Sequence, residues 1–310
     1  MKRYHNILRC VFALALVFAL LLSMLSCGLS DLRNLFDGSE GTTTTKRTIP
    51  GGEPADGQLS LHFLDVGQGD SIIAVCGGEA MLIDTSYKKK AVTQSIVDYL
   101  QNLGITSLKY LVLTHPDADH IGGAPTIINT FDIGAVIMPN AVASTQIFSD
   151  TLTAIEDNNV DVIEAFAGSS YSLGSAAFHI LAPNSSSYED TNDYSIVIRM
   201  VFGATSVMLT GDAEARSEGE MVAAYDPASL RSDLLKVGHH GSRTSTTPAF
   251  LAAVQPTYAV ISCGEGNSYG HPHAETVERL QDAGVQVYRT DTDGTIVFVS
   301  DGSSISKQDR

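Results

Sequence analysis

From Gln58 onward the chain alternates apolar and polar positions in short runs. Residues 59–66, 71–76 and 80–83 read as β-strands joined by glycine turns at Gly67 with Gly69 and at Gly77 with Gly78. Residues 91–103 switch to helical spacing and stop at Gly104. Residues 110–113 form a wholly apolar run, as a buried strand does. A helix is expected over 124–130, a strand over 135–138 and a helix over 144–157. The second half repeats the scheme. Strands are expected at 176–181, 195–201 and 206–209, then a helix at 213–225, a strand at 234–237 and a helix at 248–254. A strand at 258–262, a helix at 274–283 and strands at 285–288 and 295–299 complete it. Two halves of mixed strands, each flanked by helices, predict an α/β (α+β) four-layer αββα sandwich.

The start of the chain follows a different pattern. Lys2, Arg3 and Arg9 precede an uncharged apolar run at 11–22, which is short for a membrane span and suits the core of a secretory signal. Ser26 before Cys27 resembles a bacterial lipoprotein cleavage site, with an uncleaved anchor as the alternative. The reading is therefore a signal peptide of lipoprotein type at 1–27, a flexible tether rich in Gly, Thr, Ser and Pro at 28–57, and one domain at 58–310. Either form of the N-terminus places the domain at the outer face of the cytoplasmic membrane. Four cysteines make no disulfide framework, and Cys76 and Cys263 are expected to be buried free thiols. The net charge is −16, and losing Lys2, Arg3 and Arg9 takes it to about −19. A domain this acidic repels polyanions at long range, which weighs against a nucleic-acid partner.

The polar residues that carry chemistry cluster where strands end. His115, Asp117, Asp119 and His120 follow the apolar run at 110–113 and precede Gly122 and Gly123. Imidazoles and carboxylates this close together can hold one or two divalent metal ions. Asp212 follows an apolar strand and precedes a helix, so it is either a bridging ligand or an N-cap. His239 and His240 lie between Gly238 and Gly241. In a strand, neighbouring side chains point to opposite faces, so one of the two is expected as a ligand. The other, with the amides of Gly241 and Ser242, would face a substrate. Asn267, Tyr269 and His271 lie in a glycine-rich stretch and are candidate substrate contacts. Asp84, at the end of a strand, would orient a metal-binding histidine through its second ring nitrogen. Asp65 and Asp70 are expected to shape a turn.

Taken in order, these segments resemble the metallo-β-lactamase superfamily, and within it the ComEC-type domains of bacterial DNA-uptake channels. The resemblance covers nearly everything after the tether. It implies an αββα sandwich with a dinuclear metal centre on one edge. His115, Asp117 and Asp212 would form one site, and Asp119, His120, Asp212 and one of His239 or His240 the other. The usual second histidine of the superfamily motif is Asp117 here, a change that the ComEC-type branch shares. The histidine expected before the bridging aspartate is replaced by Asn192 or Asp193. Oxygen in place of nitrogen shifts the preference from zinc towards manganese. The sequence shows no polytopic channel segment, so transport itself is not expected of it.

The expected activity is metal-dependent hydrolysis of a phosphodiester, most simply DNA, in which two Zn or Mn ions activate water between them. Asp119, His240 and His271 are the expected catalytic residues, with His271 or the spare histidine assisting the leaving oxygen. The alternatives are an esterase acting on phosphorylcholine groups of a cell-surface polymer, and a non-catalytic lipoprotein that hands DNA to an uptake machine. Lys236 and Arg243 are the basic residues expected near the site.

Overall fold

In the computed structural model, which describes residues 46–50, 52 and 57–309, the first alternating run becomes β1 (Leu59–Phe63). Leu59, Leu61 and Phe63 face the other sheet, while His62 turns outward and bonds Tyr99. The chain continues through β2 (Ile72–Cys76), β3 (Glu79–Ile83), β4 (Ser107–Val112), β5 (Asp132–Met138), β6 (Asp161–Glu164), β7 (Ser170–Leu173) and β8 (Ala176–Ala182). It closes with β9 (Val197–Phe202), β10 (Thr205–Leu209), β11 (Leu234–Lys236), β12 (Tyr258–Ile261), β13 (Gln286–Arg289), β14 (Ile296–Ser300) and β15 (Ile305–Lys307). Among the described residues these form two sheets, ordered β15-β14-β1-β2-β3-β4-β5-β6 and β13-β12-β11-β10-β9-β8-β7.

The sheets face each other across a core that includes Phe63, Phe178, Phe202 and Phe298. Burial of each such ring is worth roughly 1.5–3 kcal/mol. The helices α1 (Lys90–Asn102), α2 (Ala118–Ile121), α3 (Ala124–Thr130) and α4 (Gln146–Asp157) cover the outer face of the first sheet, where Ile96, Ile127 and Phe148 pack near Leu82 and Leu111. The helices α5 (Ala215–Ala224), α6 (Pro227–Leu230), α7 (Pro248–Val254) and α8 (Ala274–Asp282) cover the second, through Met221, Phe250 and Leu280. The result is the four-layer αββα sandwich. Cys76 and Cys263 are buried and unpaired.

The expected leader at 1–27 and most of the expected tether at 28–57 lie outside the described residues. Within that tether, Arg47 exchanges backbone hydrogen bonds with Ala224 and Asp226, and Ile49 packs beside the core of the second sheet. These few residues lie along the domain.

Strand direction decides where the chemistry can sit. The strands β3 to β6 are mutually parallel, and so are β10 to β13. Open parallel sheets present their loops at the carboxyl ends of the strands. Asp84, His115, Asp212, His240 and Ser262 all follow such ends. A hydrogen bond from Ile196 N–H to the Thr114 carbonyl (2.9 Å) joins the two sheets at that edge.

Candidate metal centre

The backbone after β4 delivers the first cluster. Thr114 donates its N–H and hydroxyl to Asp84 (2.8 and 2.6 Å), which fixes the start of the loop. The chain then enters α2, a single turn that carries Asp119 and His120 side by side. Close approach makes room for this turn. Gly69, at φ 128°, packs so near the Asp119 carbonyl that a Cβ would lie 2.5 Å from it. Gly122 is pressed against the backbone of Tyr87 and Lys88 in the same way.

Four side chains then converge. His120 Nε2 lies 3.2 Å from Asp212 Oδ2, His240 Nε2 lies 3.3 Å from the same oxygen, and His240 Nε2 lies 3.5 Å from Asp119 Oδ2. Donors held about 2.0–2.1 Å from a tetrahedral ion are separated by about 3.3–3.4 Å. These three separations match that spacing, and Asp119, His120 and His240 form a group whose donor atoms all lie within 4.8 Å of one another, with Asp212 beside both rings. His115 Nε2 also points inward, and with His120 and Asp212 it forms a second overlapping group. Asp117 Oδ2 lies 3.9 Å from His115 Nε2, on the solvent side.

The buried Nε2 atoms of His115, His120 and His240 have no hydrogen-bond partner. A buried polar atom without a partner is costly, so three that converge call for an electrophile. Charge argues the same way. Asp70, Asp84, Asp119 and Asp212 crowd the site, and Lys236 is the buried cation among them. Burial alone would strip protons from His120 and His240, but Asp212 and its neighbours outweigh it and hold both well above the usual histidine range. Burial pushes His115 down to about 3, so it offers a free lone pair. These donors fit divalent metal ions.

Each inward-pointing imidazole is aimed from behind. Asp84 Oδ2 holds His120 Nδ1 at 2.7 Å, and the Ser262 carbonyl holds His240 Nδ1 at 2.9 Å. Glu214 Oε1 holds His239 Nδ1 at 2.9 Å. With Nδ1 donating to these oxygens, Nε2 is the nitrogen each ring turns to the centre, where a metal ion would take the place of its proton. Asp84→Asn is expected to weaken divalent-metal binding about 10–100-fold, as read by competition with a chelating dye. Unchanged affinity would mean that this carboxylate does not orient His120.

The expectation that neighbouring histidines point apart does not hold here. His239 and His240 both occupy the left-handed region, at φ 47° and 53°, rather than a strand. Both rings therefore face the centre. His239 Nε2 reaches to 3.8 Å from Asp212 Oδ2 from the more exposed side.

Other expected site residues go elsewhere. Asp193 turns away and accepts the N–H groups of Glu214 and Ser217 (3.2 and 3.1 Å), capping α5. Its neighbour Asn192 lines the mouth and donates to Glu214 (3.3 Å). The Ser242 amide is already bonded to the His239 carbonyl (2.8 Å), so it is not open to a substrate, and Gly241 lies close against Pro272. Asn267 bonds the backbone of Gly264, Tyr269 and His271, which makes it a brace for its own loop. Lys236 is sealed against Asp70, and Arg243 lies 3.4 Å from Glu275.

Tyr269 and His271 do line the mouth. Their rings stack at 5.6 Å with 21° between planes, and the Tyr269 hydroxyl meets that of Tyr87 at 3.3 Å. Burial, helped by the neighbouring histidines, pushes His271 down to about 4. Gln68 accepts the Gly264 N–H through Oε1, so its amide nitrogen faces His271 Nδ1 at 3.4 Å. That contact puts the ring proton on Nε2.

Sequence reasoning missed Asp70, Gln68, Glu214 and Glu218 as parts of the centre. Only the compact run around Gly67 and Gly69 hinted at the first two. Glu218, on α5, is buried and accepts the N–H groups of Thr246 and Thr247 (2.5 and 2.7 Å), which steadies the loop after the histidine pair. Burial outweighs these donors and pushes its carboxyl up to about 7, from 4.5. A folded value above the unfolded one means that its stabilising contribution is complete below pH 4.5 and lost as pH rises through about 7. The advantage of wild type over Glu218→Gln in urea unfolding is thus expected to shrink by up to about 3 kcal/mol across that window. A flat difference would overturn the assignment.

An αββα sandwich whose strand ends gather imidazoles and carboxylates around a cation-hungry centre defines the metallo-hydrolase fold. The chain belongs to the metallo-β-lactamase superfamily: residues 64–168 match the family described as "Metallo-beta-lactamase superfamily". It is similar to ComE operon protein 3 of Bacillus subtilis (strain 168), at 32% identity over 254 residues, covering 77% of this chain and 32% of that protein. It is also similar to Recombination protein 2 of Haemophilus influenzae, at 36% identity over 225 residues, covering 71% of this chain and 26% of that protein. The chain therefore spans a third or less of the length of these curated relatives. Among solved structures, the metallo-beta-lactamase fold protein YhfI from Bacillus subtilis shares the fold, with a TM-score of 0.52 and 12% identity over 78% of this chain and 100% of its own.

Proposed function

We propose that this chain is a metal-dependent phosphodiesterase that cleaves DNA, and that it works at the outer face of the cytoplasmic membrane beside DNA-uptake machinery. The observation that carries this reading is the set of buried, partnerless Nε2 atoms converging with Asp119 and Asp212 at a solvent-reached mouth. Similarity to competence and recombination proteins supports DNA as the substrate. Zn or Mn ions held by Asp119, His120, Asp212 and His240, and by His115 with Asp117, would supply water activation and screen phosphoryl oxygens.

The residues around that centre have separate tasks. Asp84, Ser262 and Glu214 keep three imidazoles in the tautomer that presents Nε2. His271, neutral at physiological pH, presents an N–H at the mouth that can hydrogen-bond the departing oxygen. Tyr269 offers an exposed ring on which a base can stack.

One observation favours a second reading. The mouth is acidic and carries exposed tyrosine, which suits a cationic choline head. The test is incubation of the full chain with labelled single-stranded DNA and with a choline-phosphate ester, with and without manganese. Manganese-dependent DNA cleavage that disappears in Asp119→Ala supports the nuclease. Release of choline phosphate with DNA intact moves the assignment to the esterase. DNA binding without turnover under any metal would leave a binding module.

A further inference from the structure

A second cleft, of about 400 Å³, opens beside the metal centre. Its walls come from the loops after β5, β6 and β8 and from the short turn at residues 191–194. That turn connects the two places. Asn192 lines the metal mouth, Tyr194 lines the cleft, and the next residue, Ser195, places its hydroxyl 3.3 Å from His115 Nδ1. A backbone bond from Ala165 N–H to the Met138 carbonyl (2.9 Å) keeps the neighbouring loops together.

The lining has a defined chemistry. Phe166 lines the cleft and is 58% exposed, so its ring face is open to a ligand there. Tyr194 is held by an edge contact to Tyr188 at 5.0 Å. Arg47 donates one guanidinium nitrogen to Asn184 Oδ1 (3.1 Å) and to the Tyr225 hydroxyl (3.3 Å), so the fork is anchored while its other N–H groups remain. Asn140 and Glu164 add an exposed amide and an exposed carboxylate. An aromatic face, an anchored guanidinium and amide or carboxylate groups are what a nucleotide requires for its base, its phosphate and its base edge.

Charge makes such a subsite necessary if a strand is to be held. Lys236 is sealed against Asp70, and the described residues that line the metal mouth are Gln68, Asn192, Tyr269, histidines and aspartates, with no lysine or arginine among them to grip a polyanion. Stacking is a recognition mode that does not depend on neutralising phosphates.

We propose that this cleft binds one nucleotide of the substrate strand, away from the scissile bond, with its base on Phe166 and its phosphate on Arg47. The proposal rests on the phosphodiesterase reading for the identity of the strand, but its central test does not need turnover. The chain contains no tryptophan, so Phe166→Trp would be a unique fluorophore. Oligothymidylate added to this full-chain variant in chelator is expected to quench the tryptophan emission. Adding Arg47→Ala is expected to weaken the titration about tenfold. In the active protein, Phe166→Ala should raise KM for the oligonucleotide about tenfold with kcat held, and should leave hydrolysis of bis(p-nitrophenyl) phosphate unchanged. No quenching, or an unchanged KM while both substrates are turned over, overturns the cleft and spares the nuclease. If wild type turns over neither substrate, the nuclease reading falls, and the quenching titration still decides the cleft.

Discussion

Lys236→Met is expected to lower the unfolding free energy by about 3–5 kcal/mol, as measured by urea titration in the presence of chelator. Lys236 is fully buried at the end of β11. Its ammonium lies 2.6 Å from Asp70 Oδ2, 3.0 Å from the Gly211 carbonyl and 3.8 Å from Asp212 Oδ1. Burial alone would raise the Asp70 carboxyl, but Lys236 outweighs it and holds the group far below the usual carboxylate range. Without the ammonium, Asp70 would be a dry charge with no close counter-ion except the histidine cluster. Removing both partners is a different experiment, because two apolar groups leave no stranded charge. Lys236→Met combined with Asp70→Leu is expected to recover most of the lost stability. A single-variant loss below about 1 kcal/mol would show that the pair does not hold the two loops together.

Asp119→Ala is expected to cut metal-dependent phosphodiester hydrolysis about a thousandfold and to abolish the rise in melting temperature that metal gives wild type. Asp119 is one of the four converging side chains and groups with His120 and His240, lying 3.5 Å from His240 Nε2. It is the most exposed of the four, so its removal disturbs packing least. Burial would raise its carboxyl, yet the contact with His240 draws it below the ordinary value and keeps it ionised for a cation. Metal content by elemental analysis separates loss of the ion from loss of chemistry. Full activity with a full metal complement would remove Asp119 from the centre.

Strongly patterned elements were legible in the sequence. The expected helices at 124–130 and 248–254 match α3 and α7 residue for residue, and the expected strands at 59–66 and 176–181 differ from β1 and β8 only at their ends. In each, burial on one face leaves a periodic trace. The strands β6, β7 and β15 were not foreseen. They lie at sheet edges, and most of their residues are exposed or half-buried, so hydrogen bonding alone defines them and leaves no apolar alternation to read.

The site divides along similar lines. His115, Asp119, His120, Asp212 and His240 stood out because polar side chains at the ends of apolar strands have no packing explanation, and the structure brings their donor atoms together. Asp193 was a plausible contributor by position alone, but the fold spends its carboxylate on capping α5. Asp70 and Lys236 are 166 positions apart and meet only because β2 and β11 lie in facing sheets.

The sequence by itself determined the layered architecture and the kinds of donor available at each strand end, since both follow from periodicity and residue chemistry within a few positions. Only the tertiary structure decided which atoms share a centre. Two left-handed residues turn both His239 and His240 inward, and contacts between distant loops supply the carboxylates behind the rings. Backbone handedness and long-range proximity leave no local pattern, so the assignment of each donor had to wait for the folded chain.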